Sequence, residues 1–248
     1  MFSRYALFTI LKINLPSHPQ SLSINSDSMS EHESVVKLES PCTIIVSGVS
    51  FSGKSTLIKK MLTRANGVFK VPPSKIIYCY SIWQEKLFEE IKDTVENISF
   101  HKGLVDEEVF NSNDNVHSIC VIDDLMVDVA DSKFIQKLFC VGSHHLNWTV
   151  ILIIQNLYQK GKVMRTISLN CRVFIIFRNS RDQGQVKTLA RQMFPDNANY
   201  FLDAYRKSTA VPYGYLVIDI TSTSIEQYQL RSRILPGEDM IIYVHKQQ

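Results

Sequence analysis

Residues 48–56 form a glycine-rich segment with the sequence GVSFSGKST. Two glycines flank four residues and are followed at once by lysine and serine, which is the pattern of a phosphate-binding loop. An apolar run, TIIVS, comes before this segment, and residues with helical spacing come after it. A strand, such a loop and a helix in this order predict an α/β unit with an anion site at the helix start. The candidate phosphate-binding residues are Gly48, Val49, Ser50, Phe51, Ser52, Gly53, Lys54, Ser55 and Thr56.

The residue types in this loop suit the chemistry of phosphate binding. Glycines let the backbone curl so that successive N–H groups point at phosphate oxygens. Lys54 is expected to reach the β- and γ-phosphates, and Ser55 is expected to ligate Mg²⁺. The helix that begins near Lys54 directs its positive end at the same anion. An accidental glycine turn, the alternative, leaves the flanking strand and helix unexplained.

Apolar runs and helical segments alternate along the rest of the chain. The apolar runs are rich in Ile and Val, and they lie at 43–47, 75–80, 118–122, 149–154 and 172–177. Runs of this kind are typical of strands buried on both faces of a parallel sheet. Helical spacing is found at 55–63, 132–141 and 183–194. We therefore predict an α/β fold with a mainly parallel central sheet flanked by helices. A C-terminal strand meander is predicted at 215–220, 228–234 and 240–244, with a turn at Pro236-Gly237.

Two acids and an amide stand at the ends of predicted strands. Asp123 and Asp124 follow the run at 118–122, and Gln155 follows the run at 149–154. Open α/β sheets bind ligands at this carboxyl edge. We expect Asp123 to hold Mg²⁺ through water and Asp124 to polarise the attacking water as a general base. The Gln155 amide can donate to a γ-phosphate oxygen and orient a water. The alternatives are a solvated loop for the acids and an ordinary strand-end cap for Gln155.

Composition excludes several other classes of protein. The 248 residues include 27 Lys and Arg against 24 Asp and Glu, so any grip on nucleic acid must come from a local basic patch. No window approaches the roughly 18–20 uncharged apolar residues of a spanning helix, and we predict no membrane role. The five cysteines are odd in number and far apart, which argues against a disulfide framework or a zinc site.

The chain is predicted to divide after residue 40. Residues 1–15 are apolar enough to suggest a signal peptide, but Lys12 interrupts the apolar stretch and no small-residue cleavage site follows. Residues 17–39 are rich in Ser, His, Asn and Glu. We therefore expect a flexible leader at 1–40, a P-loop ATPase domain at 41–248, and a protein that is not secreted.

Several short motifs occur together after the leader. They are GVSFSGKS (48–55), IDDLM (122–126), GSHH (142–145), IQNL (154–157), RTISLN (165–170), FRNSRD (177–182), ARQ (190–192) and PYGYL (212–216). In these segments, which span about residues 41–244, the sequence resembles the poxvirus-type genome-packaging ATPases of the FtsK/HerA superfamily. The resemblance is to the versions in large DNA viruses and in virus-like self-synthesising DNA transposons.

This resemblance implies a RecA-like P-loop NTPase fold in which the Gln-bearing strand lies between the phosphate-loop strand and the acid-bearing strand. It implies ATP and Mg²⁺ as ligands. It also implies a homo-oligomeric ring, expected to be a hexamer, that moves double-stranded DNA into a preformed shell of capsid proteins. The expected location is the host nucleus or a cytoplasmic virus assembly site.

The resemblance also implies roles for single residues. Asp124 becomes the catalytic carboxylate, although Glu is common at this position in the wider superfamily. An arginine finger is expected from the neighbouring subunit, and Arg181 is favoured over Arg165. Such a guanidinium stabilises the charge on the γ-phosphoryl oxygens and accelerates hydrolysis by ~10³–10⁵-fold. The alternative is that either arginine only pairs with a local carboxylate such as Asp182.

Two basic clusters and two other functions remain open. The clusters are Arg178, Arg181, Lys187 and Arg191, and Lys160, Lys162 and Arg165. Each can face DNA phosphates or form a solvated surface.

Two other functions are compatible with the sequence. The chain can instead be an ATP-binding DNA or capsid assembly module without turnover, or another P-loop enzyme such as a nucleotide kinase. The intact Lys54, Asp124 and Gln155 argue against the first of these functions. The absence of a basic lid segment from the sequence argues against the second.

Overall fold

The computed structural model describes residues 8–14, 36–110, 116–158, 161–221 and 226–245. Its strands are β1 (Phe8–Asn14), β2 (Thr43–Ser47), β3 (Lys75–Tyr80), β4 (Ile98–Lys102), β5 (Ser118–Asp123), β6 (Trp148–Ile154), β7 (Val173–Phe177), β8 (Tyr215–Asp219), β9 (Leu230–Ser232) and β10 (Asp239–His245). All ten join one sheet in the order β1-β10-β9-β8-β7-β2-β6-β5-β3-β4.

The sheet has a parallel half that contains the predicted apolar runs. Strands β7, β2, β6, β5, β3 and β4 pair as parallel neighbours. Four of them, β2, β5, β6 and β7, are buried along their whole length, as strands covered on both faces must be. The sequence did not indicate β4, because its residues ISFHK contain few aliphatic side chains and three of the five are exposed.

The other half of the sheet is antiparallel. Strands β8, β9 and β10 continue from β7 as a meander, which confirms the predicted C-terminal strands. The mainly parallel centre and this meander together confirm the predicted α/β fold. The observed order also places β6 between β2 and β5, as the family resemblance implies.

Helices follow most of the parallel strands, and the last two connect β7 to its antiparallel neighbour β8. They are α1 (Lys54–Thr63), α2 (Ala65–Val68), α3 (Glu85–Thr94), α4 (Met126–Asp131), α5 (Lys133–Lys137), α6 (Ser143–His145), α7 (Lys162–Asn170), α8 (Gln183–Met193) and α9 (Ala198–Ser208). Between α5 and α6 the chain continues as a π-helix, Leu138–Gly142, so the helix predicted at 132–141 changes its hydrogen-bonding pattern near its end. Within the described residues, none of these helices is long and apolar enough to cross a membrane.

The sheet separates two hydrophobic cores. Because side chains alternate along a strand, Ile45 of β2 belongs to one core and its neighbours Ile44 and Val46 belong to the other. Helices α1 and α3 cover the face that contains Ile44, and helices α4, α5, α7, α8 and α9 cover the face that contains Ile45. We name these layers the α1 layer and the α8 layer.

Parts of the segment 1–40 are ordered against the sheet, which differs from the expectation of a flexible leader. Strand β1 pairs antiparallel with β10 from Phe8 opposite His245 to Asn14 opposite Asp239. The physical reason is that β10 would otherwise present an unpaired edge. Val36 and Leu38 are also buried, and Leu38 forms an isolated bridge with Phe69.

Candidate nucleotide site

The loop at residues 48–53 has the conformation that its glycines permit. It leaves β2 at Ser47 and enters α1 through Gly53, whose φ of 101° is left-handed. A Cβ atom on Gly48 would lie 2.7 Å from Cβ of Phe177, which leaves no room for a side chain. The Ser52 hydroxyl oxygen is buried and has no hydrogen-bond partner among the described residues. The loop therefore offers a buried hydroxyl group and curled backbone to an anion.

Lys54 is turned back onto this loop. Its ammonium group donates to the carbonyl oxygens of Gly48 at 2.6 Å and Val49 at 3.0 Å. Burial lowers the pKa of the Lys54 ammonium, whereas the carboxylates of Asp123 and Asp124 act to raise it. The structure thus holds a positive charge inside the loop, at the place where the sequence predicted contact with phosphates.

Asp123 lies at the end of β5 and is bonded by two hydroxyl groups. Its Oδ2 accepts hydrogen bonds from Tyr78 at 2.7 Å and from Ser55 at 3.4 Å. Burial raises the pKa of the Asp123 carboxyl, and the hydrogen bond from Tyr78 is the strongest influence in the opposite direction. Hydroxyl and carboxylate oxygens are ligands that Mg²⁺ accepts, so Ser55 and Asp123 fit the predicted role of holding this ion with the help of nucleotide phosphates.

Asp124 and Gln155 meet at the ends of β5 and β6. The Gln155 side-chain amide donates to Asp124 Oδ1 at 3.3 Å, and both side chains are exposed. Asp124 has a left-handed φ of 57°, so the chain turns sharply immediately after Asp123. This turn separates the two neighbouring acids: one is buried beside Ser55, and the other is presented to solvent beside an amide.

Cavities border the loop on two sides. One cavity of about 830 Å³ is lined by loop residues, by Gln155 and by Arg181; the loop residues are Val49, Ser50, Phe51 and Ser52. A second cavity of about 570 Å³ is bordered by Gly53 and Thr56. The structure therefore brings together every predicted site residue except Arg165.

Arg165 lies elsewhere. It belongs to α7 and lines a separate cavity of about 340 Å³ with Tyr158 and Gln192. Its side chain is exposed, as is that of Arg181. Neither arginine forms an ion pair within the part of the chain that the structure describes. The predicted alternative, a local ion pair of either arginine with Asp182, is therefore not observed.

Sequence reasoning missed Tyr78 as a residue of the site. It lies in β3, buried against Phe88 and Phe100, and its hydroxyl group is aimed at Asp123. In the sequence it is one aromatic residue within the strand KIIYCY, where nothing distinguishes it from a core residue. To predict that Tyr78 lies beside Asp123, one would have to know the register between β3 and β5, in which Tyr78 is opposite Val121 and Tyr80 is opposite Asp123.

The fold and the site together define a class. A glycine-rich loop joins the central strand β2 to α1, an acid follows β5, and an amide follows the intervening β6. This is the RecA-like fold of P-loop NTPases.

Solved structures with this fold include the genome packaging NTPase B204 from Sulfolobus turreted icosahedral virus 2. Its complex with ATP-gammaS matches 75% of this chain and 96% of that chain, with a TM-score of 0.52 and 16% sequence identity. Its sulfate complex matches 75% and 94% of the two chains, with a TM-score of 0.53 and 14% identity. No protein-family model and no curated protein sequence matches the chain. The fold is the one that the resemblance to packaging ATPases implies.

Proposed function

We propose that this chain is an ATPase that drives double-stranded DNA of a virus or a virus-like element into a preformed capsid. The observation that carries the proposal is the convergence of Lys54, the Ser55–Asp123 pair and the Asp124–Gln155 pair at one edge of a RecA-like sheet. The motifs after residue 40 and the fold shared with a packaging NTPase support the choice of DNA and capsid as partners.

Different side chains of the site have different roles in the proposed hydrolysis. Lys54 and the loop N–H groups bind the phosphate chain. Ser55 and Asp123 would hold Mg²⁺, which would neutralise part of the phosphate charge. Asp124 then lies at the exposed side of the site, where it can accept a proton from the attacking water. Gln155, which donates to Asp124, orients this carboxylate, and its amide oxygen is free to contact the attacking water.

DNA contact is proposed for the exposed basic residues beyond β7. Arg178, Lys187 and Arg191 are exposed and are the proposed contacts, whereas Arg181, which is also exposed, is assigned to the nucleotide site below. Arg178 and Lys187 line a cavity of about 550 Å³ together with Arg206. Within the described residues, neither Arg178 nor Lys187 forms an ion pair. Unpaired cations on one surface supply the electrostatic term of binding to a phosphate backbone. Of the other cluster, Lys162 and Arg165 lie on α7, and Lys160 lies outside the described residues.

The first test compares ATP hydrolysis with and without double-stranded DNA in the wild type and in Asp124→Asn. We expect DNA to stimulate the wild type, and the variant to lose about 10²–10⁴-fold because it lacks a general base. Asp128→Asn is the matched control, since Asp128 is an exposed acid on α4 outside the site. Hydrolysis that is indifferent to DNA would contradict a packaging motor, and tight ATP binding without hydrolysis would favour an assembly module.

The two arginines are separated by mixing subunits in the proposed ring. The resemblance favours Arg181 as the finger supplied in trans, but Arg181 lines the cavity of its own loop. We therefore propose the reverse order, in which Arg181 acts in cis and Arg165 is the finger supplied in trans. Arg165→Ala subunits mixed with Asp124→Asn subunits should then regain activity, since some interfaces contain one intact loop and one intact finger. Arg181→Ala subunits should regain none in the same mixture. Recovery with Arg181→Ala, or full activity of Arg165→Ala alone, would reverse this assignment.

A further inference from the structure

We propose that Tyr213 and the cavity behind it bind the purine base of the nucleotide. This inference rests on the proposed function, because it extends the phosphate site at residues 48–56 to the rest of the same ligand. It concerns the cavity of about 570 Å³ bordered by Gly53 and Thr56, which the chemistry of hydrolysis does not use.

Tyr213 lies directly against the phosphate loop. A Cβ atom on Gly53 would lie 3.0 Å from Cδ1 of the Tyr213 ring. The same ring borders both cavities, the one that contains Gln155 and Arg181 and the one that begins at Thr56. A nucleotide with its γ-phosphate toward Gln155 must leave the loop on the other side, past Thr56. Its base then enters the second cavity, one wall of which is the tyrosine ring.

The backbone at Tyr213 is held in a conformation that tyrosine does not favour. Residues 211–214 form a turn in which the Gly214 N–H donates to the Val211 carbonyl at 3.0 Å. Pro212 occupies the second position and Tyr213 the third, with a φ of 58°. Glycine or asparagine is usual at such a position, because a side chain there is strained. Strain of this kind is concentrated at ligand clamps, where the side chain has a use that offsets it.

The exposure of the Tyr213 side chain also supports a role in binding a base. Its side chain is 72% exposed, so packing in the folded chain does not account for a large aromatic ring at this turn. An exposed aromatic face beside a phosphate site is a platform on which a base can stack, and stacking of this kind contributes to nucleotide affinity.

A polar group at the far side of the cavity supplies a contact for the edge of the base. Glu238, in the turn between β9 and β10, lines the cavity, and its Oε2 is buried with no hydrogen-bond partner in the described part of the chain. A carboxylate oxygen can only accept a hydrogen bond, so it requires an N–H donor from the ligand. The amino group of a purine, N6 of adenine or N2 of guanine, provides such a donor.

The experiment measures equilibrium binding of ATP, GTP, ITP, UTP and inorganic tripolyphosphate. We expect ATP or GTP to bind the wild type more tightly than UTP and tripolyphosphate. Tyr213→Ala and Tyr213→Gly should lose about 5- to 150-fold in purine nucleotide affinity, the range that removal of one stacking ring gives. Binding of tripolyphosphate should stay unchanged in both variants. Tyr213→Phe keeps the ring and should keep the affinity.

The variants also distinguish misfolding from lost stacking. Glycine adopts a positive φ without strain, so Tyr213→Gly should melt at the same temperature as the wild type or above it while still losing affinity for ATP. Glu238→Gln should weaken whichever of ATP and GTP donates its amino group to the carboxylate. It should weaken ITP less, since ITP has no amino group and retains only the N1–H of its ring. That comparison identifies which purine the cavity accepts.

Failure of this inference and failure of the phosphate site give different results. If tripolyphosphate binds to the wild type but not to Lys54→Ala, the phosphate site stands. If Tyr213→Gly then binds ATP as tightly as the wild type, the base site is overturned alone. If tripolyphosphate does not bind and Lys54→Ala changes no affinity, the proposed nucleotide site itself is wrong.

Discussion

Replacing Lys54 with alanine is expected to lower ATP hydrolysis by at least about 10²–10³-fold, the loss that follows removal of one preorganised charge-stabilising donor. The reason is that the ammonium group is held inside the loop by two carbonyl oxygens and is almost fully buried. A cation in such a position interacts with phosphate charge more strongly than one in water, and its removal leaves the nearby Asp123 carboxylate uncompensated. Turnover at saturating ATP and nucleotide binding are the two measurements.

A conservative substitution sharpens this test. Arginine keeps the positive charge, but its guanidinium is longer, larger and planar and does not fit the place that the compact ammonium group occupies between the two carbonyl oxygens, so Lys54→Arg should fail nearly as completely. Lys86→Ala is the matched control, because Lys86 is an exposed lysine on α3 and lines neither of the cavities that border the loop. Wild-type hydrolysis by Lys54→Ala would refute the assignment of residues 48–56 as the phosphate site.

The largest expected effect on stability comes from Arg231, far from the phosphate loop. Its guanidinium is 1% exposed, donates to Asp219 Oδ2 at 2.5 Å and donates to the Val36 carbonyl at 2.8 Å. Arg231→Ala leaves the Asp219 carboxylate buried without its cation. We expect the free energy of unfolding to fall by about 3–5 kcal/mol, which is the usual consequence of breaking a buried ion pair on one side.

A double substitution distinguishes lost charge from lost packing. Arg231→Met retains much of the side-chain volume but still leaves the carboxylate uncompensated. Adding Asp219→Asn removes that charge and keeps an oxygen that can accept the hydrogen bonds now donated by Thr221. The double variant should therefore be more stable than Arg231→Met alone, as measured by urea unfolding. Equal stability of the two variants would show that the Asp219 carboxylate left without its cation is not what destabilises Arg231→Met.

The parallel half of the sheet could be predicted from the sequence because its signals are local. Each fully buried strand is a short run rich in Ile and Val. The motif at 48–55, preceded by a strand and followed by a helix, is typical of few structures other than a phosphate-binding loop. Strand β4 escaped prediction because an edge strand needs no continuous apolar run. Strand β1 escaped because a polar, leader-like stretch separates it from the rest of the sheet.

The candidate site could be predicted only where residues are close to a motif. Asp123, Asp124 and Gln155 follow apolar runs, so their meeting at one sheet edge could be inferred. Tyr78 could not, since its contact with Asp123 depends on strand register, which the sequence does not reveal. Tyr213 belongs to the motif PYGYL, but no role could be predicted for it, because its strained φ and its contact with Gly53 are visible only in the structure.

The two cores on either side of the sheet bear on how such a chain can diverge. Helix α1, which follows the phosphate-loop motif, packs in the α1 layer, whereas the helices that follow Asp124, Gln155 and Arg181 pack in the α8 layer. Mutations that accumulate in one layer leave the packing of the other largely intact. Under the proposed function, substitutions in the α1 layer should therefore affect mainly the affinity for nucleotide and substitutions in the α8 layer mainly the rate of its cleavage, so that selection can adjust the two as separate inherited traits.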